Sequence, residues 1–221
     1  MDIKNLKEEY IVGLLRGDRD RCHLLVKSAL NNKTSLQEIY EKVFAPAMVE
    51  IGRLWEVNEI SVAQEHLATA ITQSVISSLY DYLFSNKNRE YKGKMVITCI
   101  GDELHELGPR MLADLIEMEG WDVRYLGANM PVDSVYQMVT EENPDIVGVS
   151  ATVEGNKEEI RNLIKRIKQD HDPSTLVMVG GLAFLRSPEL YEYTGGDFLG
   201  RNYNEAVAFT RNVAKHKKSR C

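Results

Sequence analysis

The spacing of apolar residues changes character near residue 90, and one type of secondary structure cannot satisfy both patterns. Before that point apolar residues recur at three and four positions, the period of helices with one buried face. Ile3, Leu6, Tyr10 and Leu14 form one stripe, and Cys22, Leu25, Val26, Ala29 and Leu30 form a second. A third helix runs through Ile39, Val43, Met48 and Ile51 to Leu54 and Trp55, and a fourth from Ser61 through Leu67, Ile71, Val75 and Leu79 to Phe84. The polar breaks at 16–18 and 31–35 separate the first three, and Ser35 with Glu38 has the spacing of a capping box. Short links between amphipathic helices predict an all-α four-helix bundle over residues 1–88. The polar run Asn86 to Gly93 is the expected domain boundary.

After Lys94 short β-rich runs alternate with helical stretches. The runs are 95–100, 123–127, 146–150 and 175–181; the helices between them are expected near 109–119, 132–142 and 157–169. A weaker fifth unit, Asp197 to Leu199 followed by a helix from Tyr203 to Ala214, completes the pattern. Such alternation predicts a doubly wound five-stranded parallel sheet over residues 89–221, with helices on both faces. Ligands of these folds sit at the carboxyl ends of the strands. The turns to inspect are therefore 101–108, 127–131, 150–155 and 180–185.

Charge and cysteine usage narrow the function. The 221 residues carry 27 Lys and Arg against 33 Asp and Glu, a net charge of −6 that argues against gripping phosphate backbones, and the short basic tail Lys215 to Arg220 does not reverse it. Cys22, Cys99 and Cys221 are far apart and show no CxxC spacing, so neither a disulfide framework nor a zinc site is indicated. The acidic start MDIKNLKEEY does not read as a signal peptide and no long apolar run occurs, which predicts a cytoplasmic protein without membrane spans. No dinucleotide, Walker or nucleophile-elbow motif is present.

The first of the four turns reads Gly101-Asp102-Glu103-Leu104-His105-Glu106-Leu107-Gly108 and sets one histidine among acids just beyond a buried strand. A carboxylate two residues before the ring can bond one ring nitrogen and orient the other toward a metal. By itself this could equally be a solvated loop histidine paired with a neighbouring acid.

Gly108 is followed after 41 residues by Ser150-Ala151-Thr152, and after 27 more by Gly180-Gly181. In this order and spacing the chain resembles the cobalamin-binding domain, whose signature is Asp-x-His-x-x-Gly, Ser-x-Leu and Gly-Gly in a flavodoxin-like fold. Glu103 stands where aspartate is usual and Thr152 where leucine is. The resemblance, over about residues 93–215, implies that His105 is the lower axial ligand of cobalt, with Glu103, Leu104, Glu106 and Gly108 around it. It also implies that the displaced nucleotide tail lies beside Ser150, Thr152, Gly180 and Gly181.

In the helical half, Trp55 is followed by nine residues and then Glu65-His66. This pattern resembles the light-sensing region of the adenosylcobalamin photoreceptor family. The resemblance implies that Trp55 packs on the adenosyl group, Glu65 hydrogen-bonds it, and His66 becomes a cobalt ligand after photolysis, with the bundle capping the upper face. The bland reading makes Trp55 bundle core and Glu65-His66 an ordinary surface pair. The expectation is a non-enzymatic cobalamin sensor acting through self-association, as a homo-oligomer, or through another protein. Direct DNA binding is not expected, since the chain begins at the bundle and is acidic. Adenosylcobalamin is the expected cofactor, with methylcobalamin as the alternative. The rival readings are a corrinoid methyl carrier of a methyltransferase system and a degenerate tetrapyrrole sensor; a cobalamin-dependent mutase would need a barrel that 221 residues cannot also supply.

Overall fold

The computed structural model describes residues 2–218; Cys221 and the end of the basic tail lie outside them. The chain divides into two compact units, Met1–Ser85 and Asn86–Cys221.

The first unit is helical: α1 (Ile3–Leu15), α2 (Arg19–Asn31), α3 (Leu36–Ile39), a π-helical segment (Tyr40–Phe44), α4 (Ala45–Glu56), α5 (Val62–Ser78) and α6 (Tyr80–Asn86). Most residues of the anticipated stripes are buried, but Leu67 and Phe84 of the fourth are exposed. Leu6, Tyr10 and Leu14 of α1 meet Val26 of α2, Val43 and Phe44 of the π segment, and Ile51, Ile71 and Val75 of α4 and α5 in one core. Tyr10 reaches across it, its ring 5.0 Å from that of Phe44 and its hydroxyl donating to Thr72 Oγ1. Gly13 allows α1 and α2 to approach, because a Cβ there would lie 2.8 Å from Cys22 Sγ. The Ser35–Glu38 capping box forms, and a second, Ser61 with Gln64, starts α5.

Two helices differ from the sequence expectation. The third contains a π turn at Tyr40–Phe44, which rotates the buried stripe so that Tyr40, Val43 and Phe44 are all enclosed. The fourth is interrupted at Leu79, where the helix geometry lapses and α6 begins anew. Leu79 is itself buried while α6 buries nothing, so the helix has lost the core that would have kept it straight.

The second unit is the predicted doubly wound sheet, β1 (Gly93–Thr98), β2 (Trp121–Tyr125), β3 (Ile146–Ser150), β4 (Leu176–Gly180) and β5 (Phe198–Gly200), all parallel in the order β2-β1-β3-β4-β5. Between them lie α7 (Leu107–Met118), α8 (Val132–Glu142), α9 (Lys157–Arg166), the short α10 (Leu182–Arg186) and α11 (Glu189–Thr194), and finally α12 (Tyr203–Lys218). Alternate strand residues serve opposite faces, as the pleat requires. Val147, Val149, Val177 and Val179 pack with Val135, Val139, Ile160, Leu163 and Ile164. On the other face Gly148 is close to Met95 and Ile97, and Phe198 stacks on Phe209 with ring centres 4.2 Å apart. Trp121 is the fully buried first residue of β2, paired with Gly93. No helix among the described residues is long and apolar enough to cross a membrane.

The strand order reverses between β1 and β3, so the chain leaves these neighbouring strands in opposite directions and opens a crevice at their carboxyl ends. The loops after β1, β3 and β4 meet there.

Candidate cofactor site

β1 gives way to the histidine loop at Gly101, whose φ of 62° lies in the region that glycine adopts without strain. The loop is tied to the one after β2: the Gly101 amide donates to Met130 O, the Asn129 amide donates to Glu103 O at 2.9 Å, and the Tyr125 hydroxyl donates to Glu106 O at 3.0 Å. Glu106 precedes the first residue of α7, and Gly108 in its first turn accepts from the Tyr203 hydroxyl at 3.3 Å.

Glu103 is the centre of the arrangement. It is 1% exposed, yet ionised and well satisfied. Its Oε1 accepts from Nδ1 of His105 at 2.5 Å and from the His105 amide at 3.0 Å. Its Oε2 accepts from the backbone amides of Thr152 at 2.6 Å and Val153 at 3.2 Å, in the loop after β3. Burial opposes the charge, but the bonds from the imidazole and the three amides outweigh it and hold the carboxyl down at about 2. The imidazole itself is 62% exposed. Its Nδ1–H is committed to the carboxylate, which selects the tautomer whose Nε2 carries the ring lone pair.

Ser150 and Gly180 lie side by side in register at the ends of β3 and β4. A Cβ on Gly180 would fall 2.9 Å from Gly200 O, and one on Gly181, at φ 100°, would fall 2.2 Å from Ala151 O. Both positions therefore demand glycine. Leu104 and Val153, in the loops after β1 and β3, and Leu185, in α10 after β4, are exposed apolar side chains at this end of the sheet. Cys99, buried at the end of β1 with its thiol directed at His105 O, is pushed up to about 12 by burial, with Glu103 and Glu106 adding to the effect, so it stays a protonated thiol.

These residues fit a corrin. The macrocycle carries its own equatorial nitrogens and asks the protein for one axial donor of imidazole type, apolar contact for its faces, and a side-chain-free backbone for its tail. The sequence missed several supporting groups: the Thr152 and Val153 amides, Asn129, Tyr125 and the two outer apolar residues. Only the left-handed Asn129, φ 54°, hints at its turn from residue type.

In the helical unit, Trp55 ends α4 with 47% of its surface exposed, in contrast to its neighbours Ile51 and Leu54. Glu65 and His66 lie in the opening turns of α5, across the short turn 57–61, and are joined to each other at 2.7 Å. Thr69 Oγ1 donates to the same carboxylate at 2.9 Å.

This chain belongs to the B12-binding domain family: a B12 binding domain model matches residues 93–208 and a second matches residues 6–80. It is a cobalamin-binding protein with two such regions in sequence. Among its relatives, the HTH-type transcriptional repressor CarH of Myxococcus xanthus is 28% identical over 144 residues, 65% of this chain and 47% of the repressor. Dimethylamine corrinoid protein 1 of Methanosarcina acetivorans is 24% identical over 214 residues, 96% of this chain and 99% of that protein. The chain thus spans about half of the first relative and almost all of the second. Among solved structures, the monomethylamine corrinoid protein of Methanosarcina barkeri superposes with a TM-score of 0.81 at 19% identity over 96% of this chain and all of that one, a likeness of fold.

Proposed function

We propose that the chain is a cobalamin sensor module that takes adenosylcobalamin, with His105 as the lower axial ligand and Trp55, Glu65 and His66 serving the upper ligand. When bound, cobalamin supplies the light-labile bond between cobalt and its upper carbon. The chain's residues supply the rest. Glu103 holds His105 Nδ1–H and fixes the ring; Ser150, Thr152, Gly180 and Gly181 receive the tail, and Leu104, Glu106 and Gly108 shape the loop beneath the ring. Trp55 would offer an aromatic face and Glu65 an acceptor to an adenosyl group, and His66 would be a nitrogen donor on the same side. Packing that differs between the two ligand states is what can bias the position of the bundle.

The observation that carries this reading is the exposure of Trp55. A bundle tryptophan serving as core would be enclosed like Tyr10 or Phe44, whereas this one stands at the end of its helix beside the turn that leads to Glu65 and His66. Output through self-association or a second protein follows from the acidic charge, which disfavours direct DNA binding.

The second reading, a corrinoid methyl carrier, is favoured by the whole-length likeness to a dimethylamine corrinoid protein. Absorption spectra with adenosylcobalamin and with methylcobalamin, recorded in the dark and after green light, separate the two. Retention of adenosylcobalamin, a stable photoproduct and a changed elution volume are expected. Preferential methylcobalamin binding with no structural response to light would move the assignment to the carrier.

A further inference from the structure

Two rows of charge on the outer face of the α/β unit have no counterpart within the chain. Along α9, Lys157, Arg161 and Lys165 recur at every fourth position and form a basic stripe. Beside it, Glu189 and Glu192 lie one turn apart on α11. All five side chains are exposed, and among the described residues none of them enters an ion pair. Between the two helices runs a groove of about 760 Å³, walled by Arg161, Asn162, Lys165 and Gln169 on one side and by Glu192 and Tyr193 on the other. Glu158, the acid on the basic wall, is already committed: the Tyr193 hydroxyl donates to it at 2.5 Å, and the Arg161 guanidinium lies 4.6 Å from the centre of the same ring. None of these residues belongs to the loops around His105. On a chain of net charge −6 an uncompensated basic row suits an acidic partner, and the row on α11 has the matching one-turn spacing.

We propose that two copies of the chain meet on this face, packed about a two-fold axis so that α9 of each lies against α11 of the other. In such a contact residue i of one copy meets residue j of the second and j meets i, so a patch that pairs with itself must carry complementary halves. Rows of opposite sign on neighbouring helices meet that condition. The basic stripe of each copy then faces Glu189 and Glu192 of the second copy, and Tyr193, held by Glu158 and Arg161, supplies aromatic area between the rows. Exposed charges fix register more than they add affinity and are screened over about 8–10 Å at physiological salt, so the association is weak and salt-sensitive. The inference goes beyond the cofactor reading and does not rest on it, since the contact needs no corrinoid.

The test is sedimentation velocity of the full chain over a concentration series at about 0.05 M and about 0.5 M salt. Wild type should dimerise at low salt and shift toward monomer at high salt. Arg161→Glu with Lys165→Glu turns the α9 row acidic, and Glu189→Lys with Glu192→Lys turns the α11 row basic. Each double variant alone sets like charges against each other and should dimerise about tenfold more weakly or worse. Mixing the two double variants should restore a dimer, because every row then faces its opposite, and so should a chain carrying all four changes. Thermal unfolding of each variant, expected close to wild type because the positions are exposed, checks that it folds. A wild type that stays monomeric at low salt, a dimer that neither double variant weakens, or a mixture that stays monomeric would overturn the proposal. Failure of the wild type to bind a corrinoid would leave it standing.

Discussion

Glu103 and His105 form one unit: Oε1 of the carboxylate lies 2.5 Å from the imidazole Nδ1 while Oε2 is held by the Thr152 amide at 2.6 Å. The ring is thereby referenced to β3 as well as to its own loop. The longer glutamate arm spans both loops from a buried position, so a carboxylate larger than the family's usual aspartate still meets the histidine.

Replacing Glu103 by glutamine keeps the volume but sets an NH2 against either the imidazole N–H or the Thr152 and Val153 N–H groups. Donor then faces donor. Cobalamin affinity should weaken about 10- to 100-fold, and the spectrum of histidine-ligated cobalt should shift toward the form without that ligand. His105→Ala should abolish the histidine-ligated spectrum altogether; an unchanged spectrum in that variant would sink the ligand assignment.

The depressed carboxyl of Glu103 also gives the cofactor-free protein a pH dependence of known sign. The folded value of about 2 lies below the ordinary 4.5, so the stabilisation is fully present above pH 4.5 and is lost as pH falls toward 2. The shift corresponds to roughly 3 kcal/mol at most. Urea midpoints of wild type and Glu103→Gln should converge as pH falls through that window, and parallel curves would contradict it.

At the glycine pair, Gly181→Ala places a Cβ within 2.2 Å of Ala151 O at a positive φ. A loss of roughly 1–3 kcal/mol of stability and of cobalamin binding is expected. Gly155, where a Cβ meets nothing within 4 Å, is the control; its alanine variant should stay within about 0.5 kcal/mol of wild type by thermal unfolding.

In the helical unit, exposure separates function from packing. Ile51→Ala removes a fully buried side chain and should cost about 2–5 kcal/mol. Trp55→Ala should cost far less while altering adenosyl retention and the response to light. Photolysis and retention identical to wild type would remove Trp55 from the upper-face role.

The sequence by itself determined much of this protein, because the relevant information is local. A period of 3.6 marked the buried stripes of α1 and α2, alternating β-rich and helical runs marked every strand of the sheet, and two-residue spacing already paired Glu103 with His105. The π turn at Tyr40–Phe44 and the break at Leu79 escaped that reading, since both depend on which core a helix is pressed against. Only the tertiary structure decided that Glu103 spends its second oxygen on amides 49 and 50 residues away, that Asn156 covers Gly101, and that Trp55 stands outside the core. The physical reason is the parallel pairing of β1 with β3: it brings the ends of two distant segments to the same edge of the sheet, a juxtaposition that no local pattern of residues encodes.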